Sequence, residues 1–200
     1  MKWQAPGEDF DANPPPPSFE DAEVSRIYVD AGKSEYLDAD AKITAKIEDL
    51  LATQEGIASG NDVEALFAAS DAVAGANCHK TALYLTGKYT REQLFEPYND
   101  DPKTAGHEFI EQNSALYGDP EALQAALRNR EFPFRVSFFK PKDGKEFAYH
   151  SITVLGLSNK GTLVAFEKKG PYADTPFRYV NALNVIMSYL AENYVVGLEK

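Results

Sequence analysis

The segment HSITVLGLSNKGTLVAFEKKG, residues 150–170, decides the class of fold. It contains two runs rich in β-branched and aromatic residues on either side of LSNKG, which is typical of antiparallel strands joined by a tight turn. In the first run, His150 shares one side of the pleat with Ile152 and Val154. Because the second run returns beside the first, we expect Glu167, 17 residues further on, to lie within reach of the His150 imidazole.

The sequence on both sides of this segment continues the same pattern. FPFRVSFFKP, residues 132–141, is again rich in aromatic residues, and the DG pair in the following KPKDGK is a hairpin turn signal. PFRYVN, residues 176–181, predicts one more short strand, and ALNVIMSYLAENY predicts a closing helix. These patterns predict a sheet part over residues 131–182 and a C-terminal helix over residues 183–195.

The chain before the sheet has helical periodicity. AKITAKIEDLLATQEG places four apolar residues on one stripe and belongs to a helical pattern that runs from about Phe19 to Ala52. NDVEALFAAS, residues 61–70, and GDPEALQAALRNR, residues 118–130, begin with Asn or Asp caps. TREQLF has the Thr–x–x–Gln form of a capping box. We therefore predict a helical part over residues 19–130.

These parts form one predicted α+β domain over residues 19–200, with helices first and an antiparallel sheet after them. Residues 1–18 include four consecutive prolines and predict an extended, proline-rich arm. The chain of 200 residues is long enough for such a domain to bury a core of its own. Its oligomeric state does not follow from the sequence.

Charge and composition exclude several classes of partner. The net charge is −11, and residues 1–64 hold 15 Asp and Glu against 5 Lys and Arg. This acidity would repel a phosphate backbone, so we expect no nucleic-acid partner. No run of about 18 apolar residues exists, so no membrane span is predicted. The opening MKWQAPGEDFDANPPPP lacks the apolar segment of a secretory signal. We expect a soluble protein, either cytoplasmic or exported with its signal removed.

The only cysteine, Cys78, lies in GANCHKTALYLTG, residues 75–87, directly after Asn77. If Asn77 is the N-cap, Cys78 occupies the first helical position, where free amides and the helix dipole favour a thiolate. The same amides could donate to the oxyanion of a tetrahedral intermediate. The alternative is a buried and chemically inert cysteine, because Cys is also a small hydrophobic residue.

Three histidines are candidate bases for this thiol. His79 lies about 100° around the helix from Cys78, so we expect the two side chains to diverge and His79 to be solvated. His107 is expected at an exposed helix start. His150 lies in an apolar strand and needs a partner for its ring nitrogens, either a backbone carbonyl or Glu167. Glu167 would hold one ring nitrogen and leave the other facing the thiol, unless it is only a solvated residue at a strand end.

A cysteine that opens a helix, followed later by a strand H-S-I-T-V-L-G, a turn and a second strand, resembles the papain-like cysteine peptidases over roughly residues 70–180. Glu167 stands where an Asn or another residue usually orients the histidine in that family. The Cys-to-His separation of 72 residues is similar to that of the compact bacterial NlpC-type amidases, which cleave peptide bonds in cell-wall muropeptides. The C-G-S-C-W signature is absent, and Ala72 stands where a Gln donor is usual, so Asn77 is the candidate oxyanion donor.

The resemblance implies a thiol hydrolase that cleaves an amide bond in a peptide or muropeptide substrate and needs no cofactor. Cys78 would attack the carbonyl, His150 would transfer the proton, and Glu167 would orient the ring. The segment KKGPYADTPFRY, with Tyr172 and Arg178, could form one wall of the substrate cleft or an ordinary loop. The alternative function is a non-catalytic binding or interaction protein of the same fold. No zinc spacing such as H-E-x-x-H occurs, so no metal is expected.

Overall fold

The computed structural model describes residues 24–59, 76–96, 107–110, 114–140, 148–170 and 176–199. Four sequence predictions lie outside these residues: the proline-rich arm over residues 1–18, the helix over residues 61–70, the DG turn of KPKDGK, and Tyr172 in the predicted cleft wall. The described residues form eight strands and five helices.

The described chain begins with a two-stranded antiparallel ribbon rather than with a helix. β1 (Val24–Tyr28) pairs with β2 (Tyr36–Asp40), so that Ile27 and Leu37 face each other, and both are buried. The predicted helical pattern from about Phe19 to Ala52 is therefore wrong over the residues of β1 and β2, which form strands. Each strand has only one fully buried apolar side chain, which is too few to produce a recognisable alternation in the sequence.

Four helices follow the ribbon along the chain: α1 (Ala41–Ser59), α2 (Cys78–Leu85), α3 (Arg91–Phe95) and α4 (Pro120–Arg128). Asn77 caps α2 by accepting a hydrogen bond from the Lys80 amide, and the Asp119 carboxylate caps α4 in the same way. Thr90 and Gln93 form a complete capping box at the start of α3. The predicted starts of these three helices are thus confirmed. Among the described helices, none combines the length and the apolar character needed to cross a bilayer.

The remaining elements are one helix and the strands of a six-stranded sheet: β3 (His107–Ile110), β4 (Phe134–Phe139), β5 (His150–Leu157), β6 (Leu163–Lys168), β7 (Phe177–Asn181), α5 (Ala182–Ala191) and β8 (Val195–Glu199). The strand order is β3-β8-β4-β5-β6-β7, and every pair of neighbours is antiparallel. The chain therefore combines helices with antiparallel sheets, as predicted, but the predicted helical first half is incorrect because strands come first.

β3 lies within the predicted helical part over residues 19–130, whereas β8 begins at Val195, the last residue of the predicted C-terminal helix, and continues to Glu199 where no element is predicted. α5 ends at Ala191 rather than at residue 195, and Asn193, with a φ of 63°, reverses the chain into β8. β8 then lies inside the sheet, between β3 and β4. A strand that is covered on both faces shows no alternation of polar and apolar residues, so VVGLE carries no strand signal of its own.

Apolar side chains cover both faces of the six-stranded sheet. Because successive residues of a strand point to opposite sides, Ala165 packs in one cluster with α4 and α5, whereas Val164 and Phe166 pack in the other with α1, α2 and the ribbon. α2 lies against β5 and β6. This packing brings the first turn of α2 beside the first residues of β5.

Candidate active site

α2 begins with the thiol that the sequence singles out. The Asn77 backbone is extended, its side-chain oxygen accepts a hydrogen bond of 2.9 Å from the Lys80 amide, and Cys78 is the first helical residue. The thiol therefore lies in the first turn, where backbone amides and the helix dipole favour an anion. The side-chain oxygen of Asn77 serves the cap, which leaves its amide nitrogen as the predicted donor to an oxyanion.

The hairpin of β5 and β6 brings His150 and Glu167 together. His150 is the first residue of β5, and Glu167 is the last but one of β6. Thr153 pairs with Phe166, so the next position along the hairpin brings Ile152 opposite Glu167. Because side chains alternate along a strand, Ile152, Glu167 and His150 lie on the same side of the sheet. His150 Nε2 is 2.7 Å from Glu167 Oε2, and both side chains are buried. This bond occupies one ring nitrogen and leaves Nδ1 for a second partner.

The predicted cleft residue Arg178 binds Glu167. β7 pairs with β6 so that Arg178 stands directly opposite Glu167. The guanidinium donates from Nε and Nη2 to Glu167 Oε1, at 2.8 and 2.6 Å. Each carboxylate oxygen of Glu167 therefore has its own cationic partner, His150 on one side and Arg178 on the other. The Arg178 side chain remains 46% exposed, so it also faces solvent.

The buried groups of the site change one another's pKa. Burial alone would raise the pKa of Cys78, but hydrogen bonds with His150 and His79 lower it from 9.0 to about 5. Burial would lower the pKa of His150, but Cys78 and Glu167 raise it from 6.5 to about 9. Burial would raise the pKa of Glu167, whereas His150 and Arg178 hold it below its ordinary value. Both shifts favour a thiolate beside an imidazolium at neutral pH.

Compared with protein-family models, curated proteins and solved structures, the chain matches none. What the site can do therefore follows from the arrangement of its own atoms. That arrangement is a thiol on a helix, an imidazole on a neighbouring strand and a carboxylate on the next strand; a hydrogen bond links the imidazole to the carboxylate, and the imidazole lowers the pKa of the thiol.

His79 differs from its sequence expectation. The residue is buried, with 6% of its surface exposed, and its Nδ1 lies 2.8 Å from Ser151 Oγ on β5. It also helps to lower the pKa of the neighbouring Cys78 thiol. The prediction of a solvated His79 is wrong because β5 packs on the side of α2 from which His79 projects. The position of a residue around a helix does not reveal which neighbouring element covers it. All eight residues of α2 are buried, so this helix has no solvent face.

A cavity of about 290 Å³ adjoins His150 and Glu167. Its wall includes Lys169 and the Tyr189 ring of α5. Tyr189 stacks on Phe138 with 4.0 Å between ring centroids, and each of these rings lies 5.8 Å from the imidazole of His150. The stacked rings fix the plane of the imidazole. The cavity offers room for part of a ligand next to the proposed base.

The site contains no constellation typical of a metal centre in the part of the chain that the structure describes. There, no group of three or more His, Cys, Asp or Glu side chains is arranged to hold a metal ion. The two buried histidines hydrogen-bond Ser151 and Glu167, and both lower the pKa of the buried cysteine.

Proposed function

We propose that the chain is a thiol hydrolase that cleaves an amide bond by a Cys-His-Glu mechanism. The observation that carries the proposal is the buried, hydrogen-bonded His150–Glu167 pair, completed by Arg178, together with the buried Cys78 thiol whose pKa His150 lowers. A thiol nucleophile requires a base, and the base requires an acceptor that fixes its orientation. The His150–Glu167 pair supplies both.

Acylation begins with the thiolate. Cys78 Sγ attacks the carbonyl carbon of the substrate, and the carbonyl oxygen becomes an oxyanion next to the amides of the first turn of α2. The His150 imidazolium then gives its proton to the amide nitrogen, and the C–N bond breaks. The products of this step are a free amine, a thioester on Cys78 and a neutral imidazole. Glu167 holds the ring in place while its charge changes.

Deacylation reverses the roles of the ring. Neutral His150 takes a proton from water as the water oxygen attacks the thioester carbon. The C–S bond of the tetrahedral intermediate then breaks, the carboxylic acid leaves, and the thiolate and imidazolium are restored. The Cys78 thiolate is a good leaving group because the pKa of its thiol is low.

The substrate class comes from the resemblance of the His150 segment to papain-like peptidases and of its spacing to NlpC-type amidases. Both point to an amide in a peptide or a cell-wall muropeptide. The cavity beside His150 and Glu167 offers space for part of such a substrate, and Cys78 is not among the residues that line it.

One observation favours a second function, a binding or interaction protein that does not catalyse. Cys78 is only 7% exposed among the described residues, whereas a substrate carbonyl must reach its sulfur. A binding protein would keep the same hydrogen-bonded residues as part of its core, and its thiol would be inaccessible to reagents.

Alkylation of Cys78 by iodoacetamide as a function of pH separates the two functions, and intact mass reports it cleanly because the chain has one cysteine. We expect rapid labelling with a midpoint near pH 5 in the wild type. In His150→Ala the midpoint should rise by about 1–3 pH units, because the neighbouring positive charge is lost. His107→Ala is the matched control, since β3 lies at the far edge of the sheet from β5.

Slow labelling at every pH, equal in all three proteins, would overturn the proposed hydrolase in favour of the binding protein. Fast labelling is followed by incubation with peptide and muropeptide amides. The hydrolase must then release a free amine and a carboxylic acid, which mass spectrometry detects. Cys78→Ser should abolish this release, while His107→Ala should leave it unchanged.

A further inference from the structure

The first turn of α2 contains a second imidazole that the hydrolase mechanism does not use. His79 Nδ1 lies 2.8 Å from Ser151 Oγ, and Ser151 Oγ lies 2.8 Å from Ser137 Oγ. All three side chains are buried, with exposed fractions of 6%, 0% and 1% for His79, Ser151 and Ser137. A buried polar series of this kind is costly unless each member has a partner. Here His79 and both hydroxyls have one.

The sheet sets the geometry of this second series. Ser151 is the neighbour of His150 on β5, so the two side chains leave the strand on opposite sides. Ser137 and Ser151 are directly paired across β4 and β5, which brings their hydroxyls together. α2 packs against β5 and thereby places the His79 imidazole beside the Ser151 hydroxyl, and His79 also lowers the pKa of the neighbouring Cys78 thiol.

Two imidazoles therefore lower the pKa of one thiol, and they have different anchors. His150 is held by the ionised carboxylate of Glu167, whereas His79 is held by the neutral hydroxyl of Ser151. A carboxylate stabilises the positive charge that a general base acquires, and a hydroxyl does so far less. The two rings are therefore not equivalent, and the proposed mechanism assigns the proton transfer to His150.

We propose that His79 is a positioning residue that holds the Cys78 sulfur, as thiolate and as leaving group, through a hydrogen bond anchored by Ser151. This inference rests on the proposed function in one respect, that Cys78 is the nucleophile. After acylation His150 is neutral and engaged with water, so its attraction for the sulfur is lost. His79 keeps its contact throughout, and the sulfur stays in the first turn of α2 when the C–S bond breaks.

Several charged or titratable groups act on the thiol besides His79. His150 contacts it from β5, Glu167 and Arg178 act through His150 from β6 and β7, and Tyr189 lies beside the site on α5. To measure the contribution of His79 to the pKa of the thiol, His79 and Ser151 must therefore be substituted while the other groups are left in place.

The test is the titration of the single thiol by its thiolate ultraviolet absorbance and by iodoacetamide labelling. His79→Ala should raise the midpoint by about one pH unit, as expected for one hydrogen bond to a charged group. Ser151→Ala should raise it in the same direction by less, since His79 loses only its anchor. In His150→Ala the midpoint should stay below that of the double variant His79→Ala/His150→Ala.

Thr153→Val is the matched control. Thr153 also lies on β5, and its buried hydroxyl has no hydrogen-bond partner among the described residues. Loss of this hydroxyl should leave the thiol midpoint unchanged. Circular dichroism and urea unfolding establish that each variant is folded. Should His79→Ala not fold, His79→Gln and Ser151→Ala decide, because Gln keeps a donor and should move the midpoint less than Ser151→Ala does.

The outcomes separate the two proposals. A wild-type midpoint near the ordinary 9.0 would refute the nucleophile and with it the proposed function. A low wild-type midpoint that neither the His79 nor the Ser151 variants move would overturn the role of His79 and leave the hydrolase intact. An equal shift in Thr153→Val would also overturn it, because the effect would then belong to the packing of β5.

Discussion

Replacement of Glu167 by glutamine tests the central contact of the site. Glutamine has nearly the same shape as glutamate, so Glu167→Gln keeps an oxygen that can accept the hydrogen bond from His150 Nε2. It removes the negative charge that lies between the imidazole and Arg178. The variant therefore separates the charge of the side chain from its shape.

The expected size of the effect follows from the contact itself. A hydrogen bond to a charged group contributes about 1.5–3 kcal/mol, and a neutral one contributes about 0.5–1.5 kcal/mol. The loss of the charge thus removes about 1–2 kcal/mol of stabilisation from the imidazolium, or about one pH unit. The pKa of His150, about 9 in the wild type, should fall by that amount in Glu167→Gln.

NMR titration of the histidine rings measures this pKa directly, with His150→Ala used to assign the resonance. Glu192→Gln is the matched control, because Glu192 is an exposed carboxylate that lines the same cavity without a hydrogen bond to the imidazole. An unchanged His150 pKa in a folded Glu167→Gln would refute the role given to the carboxylate. An equal fall in Glu192→Gln would show that the general field of the cavity, rather than the hydrogen bond, sets the pKa.

Two further predictions concern stability and are measured by urea unfolding at neutral pH. Arg178→Ala should lower the free energy of unfolding by about 1–2 kcal/mol, because one oxygen of the buried Glu167 loses its partner. Arg91→Ala, which breaks an exposed pair with Asp49, should cost less than about 1 kcal/mol, and equal costs would contradict the argument. Asn77→Ala should lower the free energy of unfolding by about 1 kcal/mol, because the helix cap is lost. Asn77→Asp should keep the cap and the stability. Equal losses of stability in the two variants would show that another contact of Asn77 matters more.

The residues that could be located from the sequence are those whose partners are close in the chain. His150 and Glu167 belong to one hairpin, so a turn signal and a period of two suffice to predict that they meet. The position of Cys78 at a helix start can likewise be predicted from the sequence, because its cap, Asn77, is the preceding residue. In both cases local chemistry decides the position of the side chain.

The features that the sequence does not reveal depend on packing between distant segments. The angle between Cys78 and His79 on a helix can be calculated, but the strand that covers His79 cannot. Arg178 meets Glu167 because β7 pairs with β6 in one particular register, and a shift by one residue would turn Arg178 to the other face. β8 is not predicted from the sequence for a related reason, since a strand buried on both faces is defined by its neighbours.

The separation of the site into a hairpin and a helix has a consequence for the order in which it assembles. The base and its carboxylate meet by closing a loop of 17 residues, whereas contacts between α2 and β5 close one of 72. The longer loop costs about 1 kcal/mol more entropy, so we expect the hairpin to form before α2 docks on it. A chain at that stage already has its paired histidine and glutamate but still has an ordinary thiol. The pKa of Cys78 then falls only when α2 docks, and the proposed nucleophile is reactive only in molecules in which α2 has docked on the hairpin.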